Sequence, residues 1–210
     1  MEIPTHIRPF LVHDTLRPSQ QKAVDAGLFA GENLLICTPT ASGKTFVGEL
    51  AFLDAIFGKK KKAIYIVPLK ALANEKYHSF KKTYDFAIAR SIGDVDATDS
   101  YLEQYDLIIT TSEKLDSLLR HHTPWIHDVG CIVVDEIHQL HDSMRGPTLE
   151  IVLTILKTQL PKAQIIGLSA TIGNPRELAA WLDASLVEDT WRPVALKKGI
   201  LTDDKLEFYE

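Results

Sequence analysis

A chain of 210 residues, 45% of them hydrophobic, is globular and long enough to bury the core of one large domain or slightly more than one ordinary domain. Its formal net charge of −5 excludes a uniformly basic surface, so any polyanion must be held in a local groove. No apolar run approaches the ~20 residues of a membrane-spanning helix, and MEIPTHIRPF has neither the basic start nor the apolar centre of a secretion signal; the expectation is a soluble, cytoplasmic protein with no membrane partner.

The first apolar run, NLLICT from Asn33, leads through TPTASGKT into the helix-periodic KTFVGELAFLDAIF. The basic run GKKKKA, Gly58 to Ala63, reads as a solvated turn before the second run, AIYIVP from Ala63. PLKALANEK follows and continues as the helical ALANEKYHSFKKTY. The third run, FAIARSI from Phe86, ends in Ile92-Gly93-Asp94. The fourth, DLIITT from Asp106, passes through TTSEK into EKLDSLLRHH. The fifth, CIVVDE from Cys131, carries DEIH and precedes TLEIVLTILKTQL, and the sixth, QIIGLSA from Gln164, ends in SAT. GNPRELAAWL then has the pattern of a helix start, with Asn174 as cap, Pro175 in first position and Glu177 placed to reach back. Cys37 and Cys131 lie beside apolar runs, where free thiols act as small hydrophobes and fit a reducing compartment.

Runs apolar on both faces, alternating with helices, predict one α/β domain built on an open parallel sheet. Such sheets bind ligands at the carboxyl ends of their strands, and the clusters that follow the six runs, TPTASGKT, PLKALANEK, Ile92-Gly93-Asp94, TTSEK, DEIH and SAT, fall at that rim.

ASGKT suits a polyphosphate. Its Ser-Gly turn points backbone N–H groups at a helix N-terminus, Lys44 reaches the outer phosphates, and the Thr45 hydroxyl is placed to hold Mg²⁺. Thr38 fills the slot of the usual leading glycine. Lysine just inside a helix start opposes the helix dipole, which disfavours a purely structural role. On the fifth strand, Asp135 reaches the rim where a carboxylate can hold Mg²⁺, and Glu136 follows where it could take a proton from water. His138 and His141 are spaced like helical metal ligands, but the sequence offers no evident third ligand.

Gln20 in LRPSQQKAV, then PTASGKT, VPLKALANEK, TTSEK, DEIH, RGPTLE, GLSAT and WRPVALKKG follow one another in the order and spacing of the first motor domain of superfamily-2 helicases. The chain resembles the archaeal Ski-like, DEAD/DEAH-type repair helicases, also described as Holliday-junction-migration helicases, from about Leu16 to Gly199. The resemblance implies an α/β, RecA-like P-loop NTPase domain whose mostly parallel sheet of about seven strands has helices on both faces. It implies ATP and Mg²⁺ as ligands, with Gln20, beside Gln21, at the adenine edge. Thr40, Ala41, Ser42, Gly43, Lys44 and Thr45 would enfold phosphate, Asp135 would hold Mg²⁺, and Glu136 with Lys44 would be catalytic. His138, Ser169, Ala170 and Thr171 would couple nucleotide to nucleic acid. Pro68, Leu69, Lys70, Thr110, Thr111, Ser112 and Lys114 would contact the backbone of single-stranded or forked nucleic acid, DNA before RNA, with 3′ to 5′ movement. Thr111 or Ser112 could instead simply cap a helix, worth ~1 kcal/mol. Arg145 marks the subfamily without an assigned role. Residues 1–210 would be an excised first motor domain. The second motor domain of the full-length chain, which supplies arginines to the transferred phosphoryl group, would be absent. A P-loop kinase on the same loop would have no use for SAT or TTSEK. With Lys44, Asp135 and Glu136 all present, a nucleotide-gated scaffold survives as a reading mainly for the isolated fragment, which is expected to bind ATP–Mg²⁺ weakly, hydrolyse it barely and not unwind DNA unaided.

Overall fold

The computed structural model describes residues 2–11, 15–93, 99–121, 123–194, 198–202 and 205–209. Each of the six apolar runs forms a strand: β1 (Leu34–Cys37), β2 (Lys62–Val67), β3 (Ile88–Ser91), β4 (Leu107–Thr111), β5 (Val129–Val134) and β6 (Gln164–Ser169). A seventh, β7 (Ser185–Glu188), completes a sheet of order β3-β4-β2-β5-β6-β1-β7 in which every pairing is parallel. The expected α/β sheet of about seven strands is therefore present. β8 (Lys198–Thr202) and β9 (Lys205–Tyr209) form a separate antiparallel hairpin that the sequence reading did not anticipate.

The helices are α1 (Pro18–Asp25), α2 (Lys44–Leu53), α3 (Lys70–Thr83), α4 (Ser112–Arg120), α5 (Gly146–Gln159) and α6 (Pro175–Leu182). Strand residues alternate between two cores, as the two-residue period requires. Leu34, Ile36, Tyr65 and Val133 face a layer containing Val47 and Leu50 of α2 and Phe80 of α3. Leu35, Ile64, Ile66 and Val134 face Leu118 of α4, Val152 and Leu156 of α5, and Leu182 of α6. Both faces of the sheet are thus covered, which explains why its strands read as continuous apolar runs.

Local chemistry sets the junctions. α2 lies directly on the sheet because Gly48 has no side chain: a Cβ there would come within 2.8 Å of Val133 Cγ1. The lysine run is a turn only over residues 59–61, since Gly58 closes a π-helical stretch and Lys62 already opens β2. Lys60 is exposed at φ 55°, and Lys59 and Lys61 pair with Asp54 and Asp128. At α6 the expected cap takes another form. Pro175 opens the helix, but Asn174 makes no side-chain cap, and its Nδ2 donates to Glu177 Oε2 at 3.2 Å. The Asn174 and Glu177 side chains satisfy each other and leave the backbone donors of the first turn to other partners.

Candidate nucleotide site and strand rim

The carboxyl ends of β1 and β5, separated in the sheet only by β6, put the two halves of the site side by side. From β1 the chain turns through Pro39–Gly43 into α2 with two left-handed residues, Ala41 (φ 66°) and Gly43 (φ 93°). Glycine is required at position 43 on two counts. Its φ is positive, and a Cβ would approach Gln20 Nε2 to 2.7 Å and Arg17 Nη1 to 3.0 Å. Thr38, the residue standing in the glycine slot, braces the turn: its hydroxyl and that of Ser42 are 2.8 Å apart, and both residues are fully buried. Thr40 and Ala41 at the crest are exposed. A neutral hydroxyl pair here does the stiffening that a tighter glycine turn would otherwise provide.

Gln20 reaches this loop from α1. Its Oε1 accepts from Arg17 N at 2.9 Å and its Nε2 donates to Gly43 O at 3.1 Å, so its amide ties the helix start to the loop ahead of α2. Arg17 Nη1 donates to Ala41 O at 3.2 Å, and its guanidinium lies 5.7 Å from the Trp191 ring centroid. Gln21 points elsewhere and pairs with Asp25.

Lys44, Thr45, Asp135 and Glu136 come together. Lys44 Nζ is 3.3 Å from Glu136 Oε2, with the lysine itself buried. Asp135 is buried at the end of β5, where its N–H donates to Ile66 O at 2.8 Å. Its Oδ1 accepts from Glu136 N at 3.0 Å, and its Oδ2 accepts from the Tyr65 hydroxyl at 2.9 Å. Burial, and then the Asp135 charge, push the Tyr65 hydroxyl well above the ordinary phenol range, so it stays a donor. Glu136 holds a left-handed backbone, φ 51°, uncommon for a side chain of its size and costing about 1–3 kcal/mol. That conformation turns the chain from β5 into the short 3₁₀ segment Ile137–His141.

Sequence reasoning missed Lys76. From the second turn of α3 its Nζ lies 3.2 Å from Asp135 Oδ2 and 3.3 Å from Thr45 Oγ1, and 5.7 Å from the Tyr65 ring centroid. Nothing in the PLKALANEK segment distinguishes this lysine from others on the helix; only the docking of α3 on the sheet reveals its aim. The presence of a cation at the meeting point of the Thr45 hydroxyl and the Asp135 carboxylate shows that this oxygen pair accommodates positive charge. Hydroxyl and carboxylate oxygens are also the donor set magnesium takes in phosphate sites, so the residues fit that ion.

His138 Nδ1 lies 3.4 Å from Glu136 Oε2. Ser169 is fully buried, its carbonyl accepting from Thr38 N at 3.3 Å and its hydroxyl beside the Cys37 thiol; Ala170 is half-buried and Thr171 exposed. Ser169, Ala170 and Thr171 therefore lie on the β6 side of the site, and His138 lies on the β5 side beside Glu136.

The second cluster surrounds an open cavity of about 350 Å³ lined by Pro68, Leu69, Lys70, Thr111, Lys114 and Arg145. Thr111 caps α4, accepting from Lys114 N at 3.5 Å, while Ser112 begins the helix. Leu69 and Lys70 are exposed. Thr110 is fully buried with its hydroxyl donating to Thr111 O, and the Lys114 ammonium is buried in a 2.9 Å pair with Asp99. Arg145 joins this rim because Asp142 Oδ1 accepts from the N–H groups of Met144 and Arg145, folding the chain tightly before α5. Those backbone donors hold the Asp142 carboxyl below its usual range. Asp94, part of the rim expected after β3, lies outside the described residues.

Comparison with known proteins places this geometry. A profile of the DEAD/DEAH box helicase family matches residues 17–178. The chain is similar to the ATP-dependent DNA helicase Hel308 of Methanocaldococcus jannaschii, 57% identical over 202 residues that cover 92% of this chain and 17% of that protein. The Hel308 of Methanococcus vannielii is 51% identical over 204 residues, covering 93% and 27% respectively. The chain thus spans roughly a quarter or less of those relatives' length. Among solved structures, the DUF1998 helicase MrfA bound to DNA is similar with a TM-score of 0.74 and 28% identity, over 90% of this chain and 30% of that one.

Proposed function

Because this chain belongs to the DEAD/DEAH box helicase family, we propose that it is the ATP-binding motor domain of an ATP-dependent DNA helicase that moves 3′ to 5′ and acts on forked DNA in repair or recombination. The observation that carries the reading is the convergence of Lys44, Thr45, Asp135 and Glu136 from α2 and the end of β5 on one spot at the sheet's rim. DNA rather than RNA is favoured by the names of the relatives and by the DNA-bound structural neighbour.

The loop Thr40–Thr45 receives the triphosphate, with N–H groups at the start of α2 stabilising its charge. Lys44 exchanges Glu136 for the outer phosphates, which frees that carboxylate to accept a proton from the attacking water. Thr45 and Asp135 would hold Mg²⁺, which would supply positive charge to offset that of the triphosphate. Gln20 and Arg17 line the approach to the base, and Gln20 reads the adenine edge by exchanging its loop contacts. Lys70 and Arg145 contact strand phosphates at the exposed rim. Pro68, Leu69, Thr111 and Ser112 shape that surface, while Lys114 and Thr110 support it from beneath. Ser169, Ala170 and Thr171, with His138, relay nucleotide state to the rim. A second motor domain of a longer chain completes the site with arginines, each worth about 10³-fold or more in rate. Among the described residues no helix is long and apolar enough to cross a membrane.

The test is ATP hydrolysis with and without single-stranded DNA or RNA, by a full-length chain carrying this domain. DNA should stimulate turnover, and Glu136→Gln should lower it at least about 100-fold while nucleotide binding persists. Stimulation by a small-molecule acceptor in place of a strand would instead assign a kinase.

A further inference from the structure

Resting on that magnesium-site reading, we propose that Lys76 is a tethered cation that competes with the divalent metal for the seat between Thr45 and Asp135. Its ammonium lies 3.3 Å from Thr45 Oγ1 and 3.2 Å from Asp135 Oδ2. A magnesium ion bound by those oxygens needs contacts of about 2.0–2.1 Å, so metal and ammonium cannot share the position. The seat is a built one. Asp135 Oδ2 also takes the Tyr65 hydroxyl, Oδ1 takes the Glu136 N–H, and the Lys76 side chain is 15% exposed.

Charge explains the arrangement. Two acids, Asp135 and Glu136, meet here, and one of them is buried; unpaired they would be costly to keep out of water. Lys44 answers Glu136 and Lys76 answers Asp135. A bare divalent ion must displace an ammonium that is already in place and tethered. A metal arriving on a triphosphate brings phosphate oxygens as extra ligands and offers the released ammonium an anion of its own. Lys76 therefore raises the discrimination of the site for metal–nucleotide over metal alone. In its present seat the ammonium also lies 5.7 Å from the Tyr65 ring centroid, an aromatic contact that adds to the hold on the side chain. Because Lys76 sits six residues along α3 from Lys70, its displacement acts on the same helix that begins at the strand rim, roughly 9 Å away.

The experiment titrates the chain with Mn²⁺, followed by the electron paramagnetic resonance of the free ion, without nucleotide. Lys76→Met, which keeps the aliphatic stem, should bind Mn²⁺ at least about tenfold more tightly than the unmodified chain, and Lys76→Arg should resemble it. Equal or weaker Mn²⁺ binding by Lys76→Met overturns the proposal. A fluorescent ADP analogue is titrated in parallel. If the unmodified chain does not bind it at any Mg²⁺ concentration, the nucleotide site itself falls. If both proteins bind it with the same Mg²⁺ dependence, only the role of Lys76 falls. Should Lys76→Met not fold, amine acetylation of the unmodified chain read by mass spectrometry decides: Lys76 should react faster with saturating Mn²⁺ than without it, and an unchanged rate overturns the proposal.

Discussion

Thr38 shows how a residue that breaks a familiar pattern can hold the same loop. Its hydroxyl meets Ser42 in full burial, so Thr38→Val, close in shape but lacking the oxygen, strands the Ser42 hydroxyl. The expected cost is about 1–3 kcal/mol of stability, read from urea unfolding, together with weaker nucleotide binding as the loop loosens. The two thiols make a second prediction. Burial pushes Cys37 up to about 11 and Cys131 up to about 12, so at pH 8 neither offers a thiolate. Alkylation of the native chain should be much slower than that of the unfolded chain and should track global unfolding; rapid labelling of either cysteine would contradict their placement. Lys44, Thr45, Asp135 and Glu136 were legible because their chemistry is tied to short motifs at strand ends. Lys76 was not, since a lysine on an amphipathic helix carries no mark of which way it points until the helix is docked.

At the level of elements, the six apolar runs declared themselves because a strand covered on both faces has no polar alternation to blur it. β7 escaped that test. It is an edge strand of four residues in which only Val187 is buried, so its composition resembles the loop around it. The start of α5 offers a sharper case. A Cβ on Gly146 would fall 2.2 Å from the Leu140 carbonyl oxygen, a backbone atom that cannot swing aside. Gly146→Ala should force the 3₁₀ segment away from the helix and cost about 1–3 kcal/mol by the overpacking it creates. Because Glu136 and Arg145 flank that segment, the same variant should also weaken strand-stimulated turnover, whereas a purely local effect would lower the unfolding midpoint alone.

Over the whole molecule, the buried acids of high pKa set an alkaline limit. Cys37, Cys131, Tyr65 and Tyr84 all lose protons less readily when folded, because burial disfavours their anions. The unfolded chain ionises first, at about 8.5 for thiols and about 10 for phenols, so it gains stability relative to the folded state as pH rises through those values. The contribution of these four groups to the unfolding free energy should be constant just below that range and fall steadily above it, which urea titrations at a series of neutral to alkaline pH values will show. A stability that rose with alkalinity would mean these groups are solvated.

The sheet order carries one more consequence. β1 is flanked by β6 and β7, which the ribosome makes more than about a hundred residues later. Until then four apolar side chains wait on a nascent chain without neighbours, and the loop they support cannot settle. The sheet can close only after β6 and β7 have been made, and its earliest strand depends on both for a place to lie.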